Sequence, residues 1–174
     1  MSGDANTLYK LIILYFLSKV DYPLTNAEIS GFLLEREYTN YFTIQEVISD
    51  LLDSEFISST QIRNSSYFKI TPAGKETLSY FGGQISDSIK AEIEAFLKEN
   101  NYKLRNESSV TAEYFETKKG EYCVRLKVIE RESTLLDLTY AVPSESVAIK
   151  ICDSWKERNE EIYTTLFDLL VRHE

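Results

Sequence analysis

Histidine, tryptophan, cysteine and proline are scarce in this sequence of 174 residues. It contains one histidine, one tryptophan, two cysteines and three prolines. The histidine, His173, is next to the last residue, so a catalytic triad or a histidine-bound metal would have to form at the end of the sequence. Cys123 and Cys152 have 28 residues between them, a spacing that matches no zinc motif. We therefore expect no enzymatic activity, no metal and no cofactor. With so few cysteines, a reducing cytoplasm is the expected location.

Long apolar runs are also missing. The longest, Leu11–Leu17, is far shorter than the roughly 20 residues of a membrane span, and no basic segment of a signal peptide precedes it. We expect no membrane association. A content of 43% hydrophobic and 27% charged residues is typical of a folded protein, and the formal charge of −9 does not suggest a basic nucleic-acid-binding tail.

Glycines are few, and the one adjacent pair, Gly82-Gly83, falls near the middle of the chain. Two residues without a Cβ atom favour a hinge or a chain reversal. Residues 1–82 contain six basic and ten acidic residues, and residues 83–174 contain 13 basic and 18 acidic residues. Both parts of the chain are therefore acidic. We predict two domains, residues 1–82 and 83–174.

Three helices followed by a hairpin are predicted in the first domain. An apolar helix covers Leu8–Leu17, and a second begins at Thr25 or Asn26 as N-cap and ends near Arg36. The third begins with a capping box, in which the Thr43 hydroxyl and the Glu46 carboxylate accept each other's backbone N–H groups. Its apolar positions have helical spacing and are Ile44, Val47, Ile48, Leu51 and Leu52.

The residue pattern then changes to a hairpin. Segments 56–62 and 67–71 are rich in β-formers, and residues 63–66 form the turn between them. Thr71 as N-cap and Pro72 in the first turn begin a further helix. Helices and hairpin in this order are typical of a winged helix-turn-helix.

The second domain is predicted as a small α-β-β-β-α layer. Ser86 caps a helix that ends near Asn100, and alternating apolar residues predict three antiparallel strands. A long amphipathic helix from Ser144 to about Arg172 covers one face of the sheet. The expected class is α+β, an N-terminal winged helix-turn-helix followed by a small domain with a three-stranded antiparallel sheet.

Two resemblances agree with this fold. The wing and the helix after it resemble those of bacterial winged-helix regulators of the PadR and MarR type, in which Ile-Thr at the end of a strand is followed by Gly and a basic residue, here Ile70-Thr71 and Gly74-Lys75. Nearly the full chain is also similar to an uncharacterised bacterial family of unknown function. That similarity rests on the segments Leu24–Ala27, Tyr38–Thr43 and Ile151–Lys156. Together the resemblances imply a transcriptional regulator.

The DNA-binding residues expected for such a regulator lie on the third helix and the wing. The helix enters the major groove, where the amide of Gln45 has the geometry to read adenine, and Thr43 and Ser49 reach phosphates or base edges. The rest of the predicted DNA-binding set is Arg63, Asn64, Ser65 and Ser66 of the wing, with Lys69 and Lys75 on the DNA backbone.

The acidic third helix keeps an alternative open. It carries Glu46, Asp50 and Asp53 but no Lys or Arg, although phosphate neutralisation supplies most non-specific affinity for DNA. The wing, Lys10, Arg36 or a dimer that pools contacts over two half-sites would have to compensate. Otherwise the same fold serves as a protein-interaction module whose partner is a basic protein.

Three further interpretations concern packing and partners. Aromatic residues between the second and third helices, Tyr38, Tyr41 and Phe42, are expected to form a small core rather than a base-stacking platform. The first and last helices are apolar enough to favour a homodimer interface. The C-terminal domain is expected to dimerise the protein or to sense an unknown effector.

Overall fold

The computed structural model describes residues 2–172, so His173 lies outside the described residues. The chain divides into two compact units, Met1–Ser108 and Ser109–Glu174. Within the described range, none of the helices combines the length and the apolar character that crossing a bilayer requires. Each unit is α+β and contains one three-stranded antiparallel sheet.

The first unit begins with three helices, α1 (Ser2–Ser18), α2 (Asn26–Glu35) and α3 (Tyr41–Asp53). The predicted N-cap of α2 is confirmed, because the Thr25 hydroxyl accepts from the Glu28 N–H at 3.1 Å and Glu28 Oε2 accepts from the Thr25 N–H at 2.7 Å.

The predicted capping box of the third helix is wrong. The α3 helix begins two residues before Thr43, and its N-cap is Asn40, whose side-chain oxygen accepts from the Thr43 N–H at 3.0 Å. Asn is as good a cap as Thr, so an earlier cap on the same helix satisfies the backbone donor that the capping box was predicted to satisfy. Glu46 is exposed one turn further on.

The hairpin of the first unit consists of β2 (Ile57–Ile62) and β3 (Ser65–Ile70), and α4 (Pro72–Phe81) follows it. Thr71 caps α4, as predicted. The sheet has a third strand that the sequence pattern did not reveal. This strand, β1 (Leu24–Thr25), lies between α1 and α2 and pairs antiparallel with β3, which gives the order β1-β3-β2.

The core of the first unit is built around α1. Six of its apolar side chains are at most 3% exposed, and they pack with buried residues of α2, α3 and the sheet. They are Leu11, Ile12, Ile13, Leu14, Phe16 and Leu17. The apolar character of α1 therefore does not favour a homodimer interface, as the sequence suggested, because its own unit buries these side chains.

The next helix, α5 (Asp87–Ser109), is longer than predicted and completes this core. Its buried residues Ile93, Leu97 and Leu104 belong to the same cluster as α1 and α2. Phe96 also packs there, with its ring centroid 5.8 Å from that of Phe16 and 5.0 Å from that of Phe32. The glycine pair Gly82-Gly83 lies in a 3₁₀ turn inside the unit, so the compact units divide at residues 108/109 rather than at 82/83.

Two tyrosine hydroxyls, one on α1 and one in the segment between α2 and α3, hold α5 in place. Tyr15 donates to Glu94, and Tyr38 donates to Glu92. Burial and the hydrogen bond to each carboxylate raise the pKa of both tyrosines to about 12. Because these values lie above the ordinary tyrosine pKa of 10.0, the stabilisation is fully present below pH 10 and is lost as the pH rises through 12.

The second unit contains β4 (Val110–Lys118), β5 (Glu121–Glu130), β6 (Ser133–Val142) and α6 (Glu145–Val171). The meander and the long capped helix are confirmed, with Ser144 as N-cap. The core between sheet and helix contains Val124, Leu126 and Trp155, each at most 2% exposed. The indole N–H of Trp155 donates to the Lys127 carbonyl at 3.2 Å, which satisfies its one polar atom.

Candidate nucleic-acid interface

The tip of the hairpin is a tight, polar loop. Arg63 and Asn64 connect Ile62 to its cross-strand partner Ser65, and Arg63 has a φ of 53° in the left-handed region. The Arg63, Asn64 and Ser65 side chains are exposed. The structure thus places three of the predicted wing residues side by side on one turn, where a cation and short polar groups can approach a phosphate backbone.

Ser66 has a structural partner inside the hairpin. Its hydroxyl donates to the Gln61 side-chain oxygen at 2.7 Å, and the amide nitrogen of Gln61 donates to the Arg63 carbonyl at 3.1 Å. Gln61 and Ser66 are also cross-strand partners in the ladder. Ser66 therefore holds the shape of the tip, and the sequence pattern did not identify Gln61 as part of the same arrangement.

The outward face of α3 carries Phe42, Glu46, Ser49 and Asp53, all of which are exposed. Thr43 is half-buried beside them. The helix has no Lys or Arg anywhere along its length. The face can accept or donate hydrogen bonds through Ser49, but it supplies no positive charge to a phosphate.

Gln45 does not belong to this outward face. It is half-buried, and its amide forms a reciprocal pair with the amide of Asn26, with N···O distances of 2.8 and 2.9 Å. Its nitrogen also lies 3.2 Å from the Ser30 hydroxyl, which in turn donates to Asn26. Gln45 thus fixes α3 against the start of α2. Reading of adenine by Gln45 would require these bonds to break.

We expect Gln45→Ala to lower the free energy of unfolding of the first unit by about 1–3 kcal/mol, because the amide of Asn26 loses its partner in a part-buried site. Ser49→Ala, on the exposed face of the same helix, is the matched control and should stay within about 0.5 kcal/mol of the wild type. Urea unfolding followed by circular dichroism measures both. A Gln45→Ala variant as stable as the wild type would contradict this structural role of Gln45.

Two cations that were candidates for compensating the acidic helix form ion pairs within their own unit. Lys10 of α1 pairs with Asp50 of α3 at 2.9 Å. Arg36 stacks over Phe32, with its guanidinium carbon 4.2 Å from the ring centroid, and pairs with Glu92 at 3.8 Å. The first pair also means that Asp50 faces a lysine of its own unit, so the net acidity of α3 is lower than its sequence suggests.

The remaining predicted cations lie next to the wing. Lys69 on β3 and Lys75 in the first turn of α4 are both exposed. With Arg63 they place three positive side chains on consecutive elements, from the tip of the hairpin to the helix that follows it. The hairpin and the start of α4, rather than α3, are therefore the electropositive part of the predicted set.

The aromatic residues before and in α3 behave differently from the expected small core. Tyr38 packs as expected, with its ring 6.2 Å from that of Phe32. Tyr41 and Phe42 are 52% and 83% exposed, and they contact each other edge to face at 6.2 Å. The core interpretation is wrong for these two, because α3 begins at Tyr41 and both side chains are exposed in its first turn.

The family model of "Domain of unknown function (DUF4364)" matches residues 9–170. No curated protein and no solved structure shows a significant match. The resemblance to a family of unknown function is thereby confirmed, whereas the resemblance to the PadR and MarR regulators stays a prediction.

Proposed function

The chain belongs to the DUF4364 family, and we propose that its first unit is a winged helix-turn-helix that binds double-stranded DNA in transcription regulation. The observation that carries the proposal is the order and pairing of its elements. Three helices precede a hairpin, and the strand between the first two helices pairs with the second strand of that hairpin. This arrangement presents one helix and one β-turn as separate reading elements.

In this proposal the wing makes the main contact. Arg63 at its tip enters the minor groove or binds a phosphate, and Lys69 and Lys75 bind the DNA backbone. Thr43 and Ser49 contribute phosphate or base-edge contacts from α3. Because the wing has few cations, we expect weak affinity for a single site and a modest dependence on salt.

A homodimer completes the proposal, since two half-sites add their few contacts. The surface proposed for dimerisation is the C-terminal end of α6. Large apolar side chains are exposed there, Leu169 and Leu170 by more than 70% each. The others are Tyr163, Phe167 and Val171. Exposed apolar patches of this kind are typical of subunit contacts.

The test is selection from random-sequence duplex pools at low salt, with the oligomeric mass measured by light scattering. We expect enrichment of one motif by a dimer. Arg63→Ala should weaken binding to all sequences and lower the slope of log K against log salt by about 1, because one phosphate contact is lost.

Lys98→Ala, which removes an exposed cation from α5, is the control and should leave DNA affinity unchanged. A folded protein that enriches no sequence at any salt concentration would contradict the proposal. Equal salt slopes for Arg63→Ala and the wild type would show that Arg63 does not contact a phosphate.

A second candidate function is a protein-interaction module. The observation that favours it is the outward face of α3, which carries the highly exposed Phe42 together with Glu46 and Asp53 and has no cation on the helix. Such a face fits an apolar and basic partner protein better than a phosphate backbone. Stoichiometric capture of a basic partner that is lost in Asp53→Lys, without DNA enrichment, would favour this function.

A further inference from the structure

A cavity of about 270 Å³ lies in the second unit, between α6 and the face of the sheet that the helix covers. It is smaller than the 300–1,000 Å³ typical of sites for drug-sized ligands. Nothing in the proposed DNA contacts uses it, since those contacts lie in the first unit. Its size and its lining decide what it can hold.

The inner part of the cavity is apolar. Leu126 of β5 and Trp155 of α6 are buried behind it, and its accessible apolar surface comes from the half-buried Val147, Ile151 and Ile162 of α6. Because the indole N–H is bonded to the Lys127 carbonyl, Trp155 needs no polar ligand atom. This part therefore suits a hydrocarbon group, whose transfer from water is favourable.

The polar part of the cavity is a line of three side chains on α6. Lys150, Ser154 and Arg158 are four residues apart, so they lie one above the other on successive turns. Tyr140 of β6 lies across from them in the lining. No acidic side chain lines the cavity among the described residues, although the whole chain carries a formal charge of −9. Two cations with no acid in one cavity favour an anion.

One of the cations has an internal partner, which an anionic ligand would have to displace or share. Arg158 lies 3.3 Å from Glu161, one turn further along the helix. Both side chains are more than 60% exposed, and pairs of this kind contribute little to stability. An anionic ligand can therefore displace Glu161 from Arg158 with little loss of stability.

We propose that this cavity binds a small organic carboxylate with an apolar body. The apolar part lies against Val147, Ile151 and Ile162, and the carboxylate accepts from Lys150 and Arg158. Such a ligand is a candidate effector, but its binding does not depend on the proposed DNA binding and is measured separately.

Trp155 is the only tryptophan in the chain, so its fluorescence reports directly on the cavity. The probe is octanoate, with octan-1-ol as the uncharged molecule of matched length. We expect octanoate to change the emission saturably, with at least tenfold higher affinity than octan-1-ol. Arg158→Gln and Lys150→Gln should each weaken octanoate binding about tenfold, which corresponds to one charge-assisted hydrogen bond, and leave octan-1-ol binding unchanged.

Two further variants complete the experiment. Lys156→Gln removes a cation from the same helix outside the cavity and should bind octanoate like the wild type. Ser154→Leu fills the cavity and should abolish binding, while circular dichroism checks that the helix remains folded. No saturable signal with octanoate, equal affinity for octanoate and octan-1-ol, or an unchanged affinity in both Gln variants would each overturn the proposal.

Discussion

Gly74→Ala will lower the free energy of unfolding of the first unit by about 2 kcal/mol or more, although the same change inside a helix normally stabilises by up to about 1 kcal/mol. Gly74 is buried in the first turns of α4. A Cβ atom on it would lie 2.1 Å from the Phe56 carbonyl oxygen and 2.9 Å from a side-chain carbon of Ile70. The Phe56 oxygen belongs to the backbone, so α4 must move to relieve the clash.

That movement would break the contacts that hold α4 to the start of the hairpin. The Thr71 N–H donates to the same Phe56 carbonyl at 3.1 Å, and the Thr71 hydroxyl donates to the Glu55 carbonyl at 2.7 Å. Thr71 is also the N-cap of α4. Strain, lost hydrogen bonds and a weakened cap therefore act together, and the expected fall in Tm is roughly 10 °C for a unit of this size.

Gly31→Ala is the matched control. Gly31 lies inside α2 and is exposed, and a Cβ atom on it would meet nothing within 4 Å. It should stabilise the unit by about 0.5–1 kcal/mol, as helix propensity predicts. Thermal unfolding of both variants and the wild type measures the two changes in stability. A Gly74→Ala variant more stable than the wild type would show that α4 does not pack against the Phe56 carbonyl as described.

A fragment of residues 1–108 will unfold cooperatively, whereas a fragment of residues 1–82 will not fold. The shorter fragment lacks four buried residues of the first core, Ile85, Ile93, Leu97 and Leu104. Burial of such side chains contributes about 1.5–3 kcal/mol each, so their loss removes an amount comparable to the whole stability of a typical domain. It would also expose the stacked rings of Phe16 and Phe32, which lie 4.9 Å apart.

Circular dichroism and urea unfolding of the two fragments provide the measurement. Phe96→Ala in the full chain is an independent check, since it removes only the α5 ring that packs on Phe16 and Phe32. We expect the first unit to lose about 3–5 kcal/mol in this variant. If the fragment of residues 1–82 unfolded cooperatively and were as stable as the fragment of residues 1–108, the domain boundary would lie at the glycine pair instead.

The elements of this fold were largely predictable because their signals are local. Helical spacing of apolar residues identified α3, alternation identified the strands of the second sheet, and the caps at Thr25, Thr71 and Ser144 were read correctly. The two-residue strand β1 was not predicted, because a segment as short as Leu24-Thr25 has no periodicity and becomes a strand only by pairing with β3. Similarly, Asn40 and Thr43 are both acceptable caps, and the sequence did not distinguish them.

The candidate site was less predictable than the fold, because the role of a polar side chain depends on what lies across from it. Gln45, read as a base contact, faces Asn26 at 2.8 Å. Asp50, read as part of an acidic surface, faces Lys10 at 2.9 Å. Neither partner lies near it in the sequence, and no periodicity marks either pair.

By itself, the sequence determined the helices, most of the strands, the acidic charge and the lack of histidine in residues 2–172, since each depends on residue type and spacing along the chain. Only the tertiary structure decided that α5 packs on the first core, which side chains of α3 face outward, and that Lys150, Arg158 and Trp155 line one cavity. Those outcomes depend on contacts between residues far apart in the chain, and such contacts are selected by packing and pairing rather than by local propensity.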